Sequence, residues 1–327
     1  MSYFRTLFKP ELYHGESKKA PFFEGWYYKL VDPTEKHRFA VIPGIFKNDD
    51  PELNHSFIQV LNGSTGQSAY HRFSRSSFKS ESRRFAVNVG QNHFSETRLA
   101  LNIKDPDFSI GGTLILGETA PWPSTFLSPG IMGPYGYLPN MECNHGIVSL
   151  NHELIGHLII NGEKIVFTGG KGYIEKDWGR SFPAGYVWMQ SNHFSTYGTS
   201  FIGSIAIIPW RRYAFPGFII GLKHKGFLHR FATYTGAKTQ SLKITDDDVE
   251  WVIKSRRKTL IVNATRTKGG LLYGPNRDSM TERVGETLLS DISLTLKDGT
   301  TTILNDTGRC AGLEVHGDLE QLLALQK

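Results

Sequence analysis

The feature that most constrains the fold of this chain is a succession of short alternating or apolar runs separated by Gly, Pro, Asn and Asp. Alternation with a period of two is typical of strands, and the separating residues form turns. Glycine accounts for 34 of the 327 residues, above the average of roughly 7%, as many tight turns require. The pattern predicts an all-β fold of antiparallel sheets. The predicted strands are Phe39–Phe46, His55–Leu61, Arg84–Val89, Arg98–Ile103, Ser109–Leu116, Gly146–Leu150, Leu154–Ile160, Lys164–Thr168, Ser200–Ile208, Gly217–His224, Phe227–Thr233, Val249–Lys254, Thr259–Ala264, Ile292–Leu296 and Cys310–Val315.

The two halves of the chain have a similar density of predicted strands but no repeated sequence. A length of 327 residues suffices for two medium-sized domains. We therefore predict two antiparallel β-barrel or sandwich domains, residues 1–180 and 181–327, with the boundary between Asp177 and Gly185. One short helix is predicted at Asp318–Leu325, where Asp318 caps the first turn.

The chain is basic, with a formal net charge of +6 and a pI near 9.1. Its basic residues occur in scattered pairs such as Arg83-Arg84, Arg211-Arg212 and Arg256-Arg257. This pattern is typical of a solvated surface, so no nucleic-acid partner is predicted. A weak peripheral contact with an anionic membrane stays open as a hypothesis, because a hydrophobic substrate would have to be collected from a bilayer.

The cysteine content and the apolar runs bear on location. The two cysteines, Cys143 and Cys310, form no disulfide framework and no CxxC metal or redox motif. The first ten residues contain no continuous apolar region, and no later run reaches the roughly 18 apolar residues of a membrane span. These features predict a reducing, cytoplasmic location.

The densest cluster of chemically active side chains lies at Gly169–Gly179, GGKGYIEKDWG, and at Tyr186–Phe194, YVWMQSNHF. Alternation places Trp188, Gln190 and Asn192 on one face of a strand. A wall of large side chains with polar tips is more typical of a ligand pocket than of a plain core.

Motifs for metal binding and nucleophilic catalysis are not supported. His152 and His157 resemble the ends of an HExxH zinc motif, but they are five residues apart inside a predicted strand and point to opposite faces. The sequence contains no GxSxG elbow and no cysteine nucleophile signature. We predict no metal, no cofactor and no covalent nucleophile.

Two regions together resemble the tocopherol cyclase family. They are Phe22–Lys29, FFEGWYYK, and Gly172–Gly179, GYIEKDWG, the second with the Trp188–Asn192 run that follows it. The resemblance implies two lipocalin-like or calycin-like β domains. It also implies distant similarity to carotenoid hydratases and to lipocalin-like cyclases of natural-product pathways.

The resemblance implies an intramolecular cyclisation, in which the phenol oxygen of a prenylated hydroquinone closes onto the alkene of its own tail to give a chromanol. Such an intramolecular lyase, of the isomerase class, needs no redox cofactor or metal. It needs an acid that protonates an alkene, a dry pocket that folds the tail over the ring, and π faces beside the cation. Its partner would be a hydrophobic prenylated aromatic.

Under this hypothesis Asp177 is the first choice for the acid, followed by Glu24 and Glu175, because a carboxyl among tryptophans is desolvated and held protonated. The alternative is structural: Glu24 or Asp177 binds backbone amides or pairs with Lys29 or Lys176. Family members also carry Asn at the position of Asp177, which favours Glu24.

The predicted substrate contacts are aromatic and amide side chains. Each indole would stabilise a cation by ~0.5–2 kcal/mol, although indoles in β proteins more often pack in cores. Amides and hydroxyls would bind the hydroquinone oxygens, and a histidine would accept the phenolic proton, although alternation turns that histidine away from the wall. These residues are Trp26, Trp178 and Trp188 for the cation, Gln190, Asn192 and Tyr28 for the oxygens, and His193 for the proton.

Two alternatives stay open. One is a non-catalytic lipocalin-like carrier that holds an isoprenoid quinone or carotenoid in its barrel. The other is a hydratase that protonates an isolated alkene and finishes with water. A carboxyl placed against the alkene of the ligand distinguishes an enzyme from a carrier.

Overall fold

The computed structural model describes residues 6–106, 108–139 and 141–326. Most of its regular structure is β-strand, followed near the C-terminus by a short helix. In chain order the elements are β1 (Phe22–Val31), β2 (Arg38–Lys47), β3 (His55–Asn62), β4 (Ser68–Ser74), β5 (Phe78–Ser80), β6 (Ala86–Val89), β7 (Asn92–Ser95), β8 (Arg98–Ile103), β9 (Ile110–Leu116), β10 (Cys143–Ile160), β11 (Glu163–Val166), β12 (Gly170–Gly179), β13 (Gly185–Ser191), β14 (Ser200–Trp210), β15 (Tyr213–His224), β16 (Phe227–Ala232), β17 (Lys238–Ile244), β18 (Asp248–Ser255), β19 (Lys258–Thr265), β20 (Gly270–Gly274), β21 (Glu282–Asp298), β22 (Thr301–Gly317) and α1 (Leu319–Ala324).

Contacts between Cα atoms group the chain into two compact units. The first consists of Met1–Phe182 together with Leu271–Arg283, and the second of Pro183–Gly270 together with Val284–Lys327. The segment Leu271–Arg283 therefore leaves the second unit and packs with the first.

The first unit contains a twelve-stranded sheet in the order β4-β3-β2-β1-β12-β10-β9-β8-β7-β6-β5, with β11 paired to β10. One face of this sheet carries an apolar core rich in aromatic rings, in which Trp26, Tyr28 and Phe94 are fully buried. Because side chains alternate along each strand, every second residue of β1 and β12 points away from this core.

The second unit is built on a ten-stranded sheet in the order β16-β15-β14-β13-β22-β21-β19-β18-β17, with β20 paired to β21. Its core includes Val187 and Met189 of β13 and Trp251 of β18, all fully buried. This unit thus has an apolar core of its own.

The helix α1 confirms the predicted capping residue. The Asp318 carboxylate accepts a hydrogen bond of 2.9 Å from the backbone N–H of Gln321, and Leu322 is buried against the core of the second unit. Among the described residues no helix is both long enough and apolar enough to cross a bilayer.

The predicted all-β class with two antiparallel sheets is confirmed. The main difference is strand length: β10 runs unbroken through Gly146–Leu150 and Leu154–Ile160, which the sequence predicts as separate strands. Register shifts against β12 between Ile147 and His152 let the strand bend without ending. The sequence does not predict β17, because its residues are mostly polar and exposed and give little alternation.

Candidate active site

Three neighbouring strands of the first unit position most of the predicted site. β12 pairs with β1 on one side and with β10 on the other. The register places Glu24 opposite Trp178 and Trp26 opposite Lys176, so these four side chains share the face of the apolar core. The residues between them on β12 point to the opposite face. The predicted carboxyls therefore belong to two separate clusters.

On the core face, Glu24 and Lys176 form a fully buried ion pair, with 2.5 Å between Oε1 and Nζ. The backbone N–H of His14 donates to both carboxylate oxygens, at 2.9 and 3.0 Å. The Lys176 ammonium also donates to Nδ1 of His14, at 2.7 Å, and to the carbonyl oxygen of Leu12. The segment before β1 thus covers the pair and satisfies its remaining hydrogen bonds.

The ion pair determines the protonation state of Glu24. Burial raises the pKa of Glu24, but the charge of Lys176 and the hydrogen bond from His14 outweigh it, so the pKa lies below the ordinary value. Burial lowers the pKa of Lys176 to about 8, against the raising effect of Glu24. Both groups are therefore charged at neutral pH. An ionised Glu24 has no proton to deliver, and this geometry favours its structural alternative.

The aromatic residues on the core face surround the Lys176 ammonium. Its Nζ lies 4.8 Å from the ring centroids of both Trp26 and Trp178. The Trp26 indole donates to a carbonyl oxygen of the N-terminal segment at 3.0 Å, and the Tyr28 hydroxyl donates to the carbonyl oxygen of Ser95 at 2.9 Å. These contacts place Trp26, Tyr28 and Trp178 in or against the packed core of the first unit.

On the opposite face, β10 and β12 bring together one imidazole and two carboxyl groups. His145 lies opposite Asp177 in the strand register, and its Nδ1 is 2.8 Å from Asp177 Oδ1. Its Nε2 is 3.5 Å from Glu175 Oε2. The same Glu175 oxygen accepts a hydrogen bond from the Tyr173 hydroxyl. We refer to these four residues as the His145 cluster.

The members of the His145 cluster differ in exposure. The exposed fraction of the side chain rises from 5% at Glu175 through 12% at His145 to 27% at Asp177, whereas Tyr173 is fully buried. Burial, helped by the charge of Glu175, raises the pKa of Tyr173 well above its ordinary value, so its hydroxyl stays protonated and donates. Asp177 is therefore the most accessible group of the cluster.

This arrangement can hold and transfer a proton. An imidazole with a carboxyl at each ring nitrogen can donate through both nitrogens when protonated and can return a proton to either carboxylate. A hydrogen bond from the imidazole to a carboxylate stabilises the anion that remains after proton transfer. General acid catalysis requires a group of this kind within reach of the reacting carbon.

The same cluster offers donors for a metal ion. Ligand atoms of His145, Glu175 and Asp177 lie within 4.8 Å of one another. One imidazole and two carboxylates form a donor set that divalent transition metals accept. A metal and the hydrogen-bonded protons would occupy the same lone pairs, so the two uses of the cluster exclude each other.

The other predicted contacts lie in the second unit. Trp188 and Gln190 on β13 alternate with residues of that unit's apolar core and point away from it. Gln190 is fully buried, and neither atom of its carboxamide has a hydrogen-bond partner among the described residues. Asn192 and His193 follow the end of β13, with 2.9 Å between His193 Nδ1 and Asn192 Oδ1. A ligand role for these four residues stays a prediction.

Sequence reasoning includes Glu175 and Asp177 but misses His145 and Tyr173. The spacing of Tyr173, Glu175 and Asp177 by two residues places all three on one face, and this signal is present in the sequence. His145 joins them only through the register between β10 and β12, which no local pattern reveals.

Sequence comparisons connect this chain with tocopherol cyclases. A family model described as tocopherol cyclase-like matches residues 122–317, a segment that contains the whole His145 cluster. The rice protein "Probable tocopherol cyclase, chloroplastic" from Oryza sativa subsp. japonica is 27% identical over 176 residues, which cover 48% of this chain. The match spans only 36% of the rice protein's length.

Solved structures share the fold. An AttH candidate from Nitrosomonas europaea superposes with a TM-score of 0.57 at 16% identity, and the match covers 90% of this chain and 92% of that one. Kievitone hydratase from Nectria haematococca gives a TM-score of 0.53 at 13% identity and covers 94% of both chains. At these identities the likeness shows the fold alone.

Proposed function

The chain belongs to the tocopherol cyclase-like family, as its motifs predict, and we propose that it is an enzyme that protonates an alkene and adds an oxygen nucleophile to the resulting cation. The observation that carries this proposal is the His145 cluster, in which a partly exposed carboxyl is hydrogen-bonded to an imidazole. The finer proposal is that alkene and nucleophile belong to one prenylated hydroquinone and that the product is a chromanol. The name of the rice relative supports this choice of substrate class.

Asp177 is the proposed acid, because it is the most exposed carboxyl of the cluster. Its proton goes to the less substituted carbon of the alkene and leaves a tertiary cation on the neighbouring carbon. A lone pair of the phenol oxygen forms the new C–O bond with that cation. The phenol proton then returns to the Asp177 carboxylate. Substrate and product are isomers, so neither an oxidant nor water is consumed.

His145 and Glu175 are proposed positioning residues. The N–H at Nδ1 of His145 holds the Asp177 carboxylate at 2.8 Å and stabilises the anion that proton transfer leaves behind. Glu175 lies at the other ring nitrogen and is itself held by the Tyr173 hydroxyl, so the ring has one favoured orientation. Return of the phenolic proton restores the starting state of the cluster.

A hydratase is the second candidate, and the exposure of Asp177 favours it. With 27% of this side chain exposed, water has access to the acid and would compete with an internal phenol for the cation. The proton transfer is the same in both reactions. Only the source of the oxygen differs.

To distinguish a cyclase from a hydratase and from a carrier, the purified protein is incubated with a phytyl hydroquinone in D₂O. The products are analysed by mass spectrometry. A chromanol with one carbon-bound deuterium supports the cyclase. A tertiary alcohol that takes its oxygen from ¹⁸O-labelled water supports the hydratase and contradicts the cyclase. If the hydroquinone, and analogues with shorter prenyl tails, bind but return unchanged and without deuterium, the protein is a carrier and both enzymatic proposals fail.

A further inference from the structure

One hairpin of the second unit extends beyond the strands beside it. β14 and β15 pair from Ser200 to Trp210, where Trp210 lies opposite Tyr213. The pairing of β13 with β14 reaches only Ala206, and that of β16 with β15 begins only at Ile219. The last four pairs of the hairpin therefore lack a neighbouring strand in the described sheet. At ~3.3 Å per residue this two-stranded ribbon is about 13 Å long.

The tip of this ribbon carries two aromatic and two cationic side chains. Trp210 is 47% exposed and Tyr213 is 82% exposed. Arg211 and Arg212 form the turn between them, and both are exposed. The residues directly behind the tip, Ile208, Pro209, Ala214 and Phe215, provide apolar surface on both strands. An exposed aromatic pair at the end of a ribbon adds nothing to the core of the unit.

The surrounding sequence is uniformly basic. Between Asp177 and Asp246 the chain has eight Lys and Arg residues and no Asp or Glu. This segment supplies the hairpin and the strands on both sides of it. The hairpin and the two strands beside it therefore contribute positive charge and no carboxylate of their own, which favours contact with polyanions.

We propose that the Trp210–Tyr213 tip docks on an anionic phospholipid bilayer. Tryptophan and tyrosine rings favour the headgroup level, where one edge contacts acyl chains and the polar atom contacts water. The two guanidinium groups would bind lipid phosphates, and the apolar flanks of the ribbon would lie at the acyl boundary. Single-stranded nucleic acid also binds aromatic and basic residues, but it uses extended grooves, whereas this tip is narrow and has an apolar flank.

The purpose of this docking, collection of a lipid-soluble substrate, rests on the proposed function. A substrate with a prenyl tail partitions into the bilayer, and an enzyme held at the surface collects it there. Binding to lipid and turnover are separable, because binding is measured without substrate and turnover is measured with detergent-dispersed substrate. Turnover without lipid binding would therefore contradict the docking proposal, and lipid binding without turnover would contradict the proposed function.

The first test is vesicle flotation of the full chain, with phosphatidylcholine alone and with phosphatidylglycerol added. We expect binding to the anionic vesicles that weakens as salt is raised. Arg211→Glu/Arg212→Glu should reduce the partition coefficient at least about tenfold. The matched control is Arg256→Glu/Arg257→Glu, which makes the same charge change in the β18–β19 turn. That turn has the same backbone form, with φ of 53° at Arg256 and 55° at Arg211, but no flanking aromatic pair.

The second test locates the tip in the bilayer. Trp210 is the most exposed tryptophan of the described residues, so brominated phospholipids should quench its fluorescence, and Trp210→Phe should lose most of that quenching. Equal loss of flotation in both charge-reversal variants would overturn the proposal in favour of diffuse attraction. Unchanged quenching in Trp210→Phe would place the contact elsewhere and overturn it too. Failure to float, with binding of a single-stranded oligonucleotide that the Arg211/Arg212 variant loses, would assign the tip to nucleic acid.

Discussion

His145 Nδ1 and Asp177 Oδ1 lie 2.8 Å apart across the pairing of β10 with β12. The contact joins the acid that the motif predicts to an imidazole that only the sheet register reveals. Because Asp177 is also the most accessible carboxyl of the His145 cluster, the proposed chemistry is most sensitive to substitution at this pair.

Replacing Asp177 by Asn should remove the transferable proton while keeping the shape of the side chain. We expect kcat to fall by about 10²- to 10⁴-fold with little change in KM, the usual contribution of a general acid. Because the side chain is partly exposed, thermal stability should change little. Steady-state turnover and a thermal melt measure both effects. Asp49→Asn, at an exposed aspartate, is the matched control, and full turnover in Asp177→Asn would refute the assignment.

Replacing His145 by Gln should test its positioning role. Glutamine retains an N–H that can reach Asp177, but it does not titrate between about pH 5 and 8 as histidine does. We expect kcat to fall about tenfold and the pH profile of kcat to lose one ionisation. A lower kcat with a profile of unchanged shape would show that His145 only supports the local structure.

Local sequence patterns predict much of this fold, because they report on one strand or helix at a time. Alternation predicts most strands of both sheets, though not β1, β4, β5, β7, β17 or β20, and a capping aspartate predicts the start of α1 at Asp318. The same patterns cannot separate Glu24 from Asp177, since both faces of β1 and β12 carry large polar groups that are buried or nearly so. The structure separates them, because Glu24 is ion-paired with Lys176 on the core face, whereas Asp177 contacts His145 on the other face.

Gly172 in the β12 motif shows a similar limit. No local pattern explains why this strand position is a glycine, but a Cβ here would lie 2.2 Å from Nε2 of His152. The glycine is therefore needed because the His152 ring occupies the space above it. That contact depends on the pairing of β10 with β12 and has no local signature.

Replacing Glu24 by Gln should destabilise the first unit, because Lys176 is left buried without its counter-charge. We expect the free energy of unfolding to fall by about 3–5 kcal/mol, measured by urea denaturation. Glu24→Gln/Lys176→Met removes both charges and should recover much of that loss, so the two substitutions will be non-additive. The folded fraction of Glu24→Gln should keep its kcat. Unchanged stability together with a lost kcat would instead identify Glu24 as the acid.

The His152 ring gives the protein a pH-dependent stability. Its side chain is almost fully buried on β10, with Nδ1 2.9 Å from the Ser149 hydroxyl oxygen and no hydrogen-bond partner for Nε2 among the described residues. Burial lowers its pKa from 6.5 to about 4. Below about pH 6.5 the unfolded chain therefore binds a proton at His152. The folded protein does not bind that proton until the pH approaches 4.

The free energy of unfolding should consequently fall as the pH is lowered from about 6.5 to 4, and His152 should contribute about 3 kcal/mol of that fall, at about 1.4 kcal/mol per pKa unit. Above pH 6.5 both states are neutral and the contribution is constant. Urea denaturation at a series of pH values measures this fall.

His152→Asn keeps a polar partner for Ser149 but does not titrate. The stability of this variant should be lower at pH 7.5 and should decline less toward pH 4. His157→Asn, at an exposed histidine of the same strand, should decline as the unsubstituted protein does. Parallel curves for His152→Asn and the unsubstituted protein would show that other groups cause the acid loss of stability.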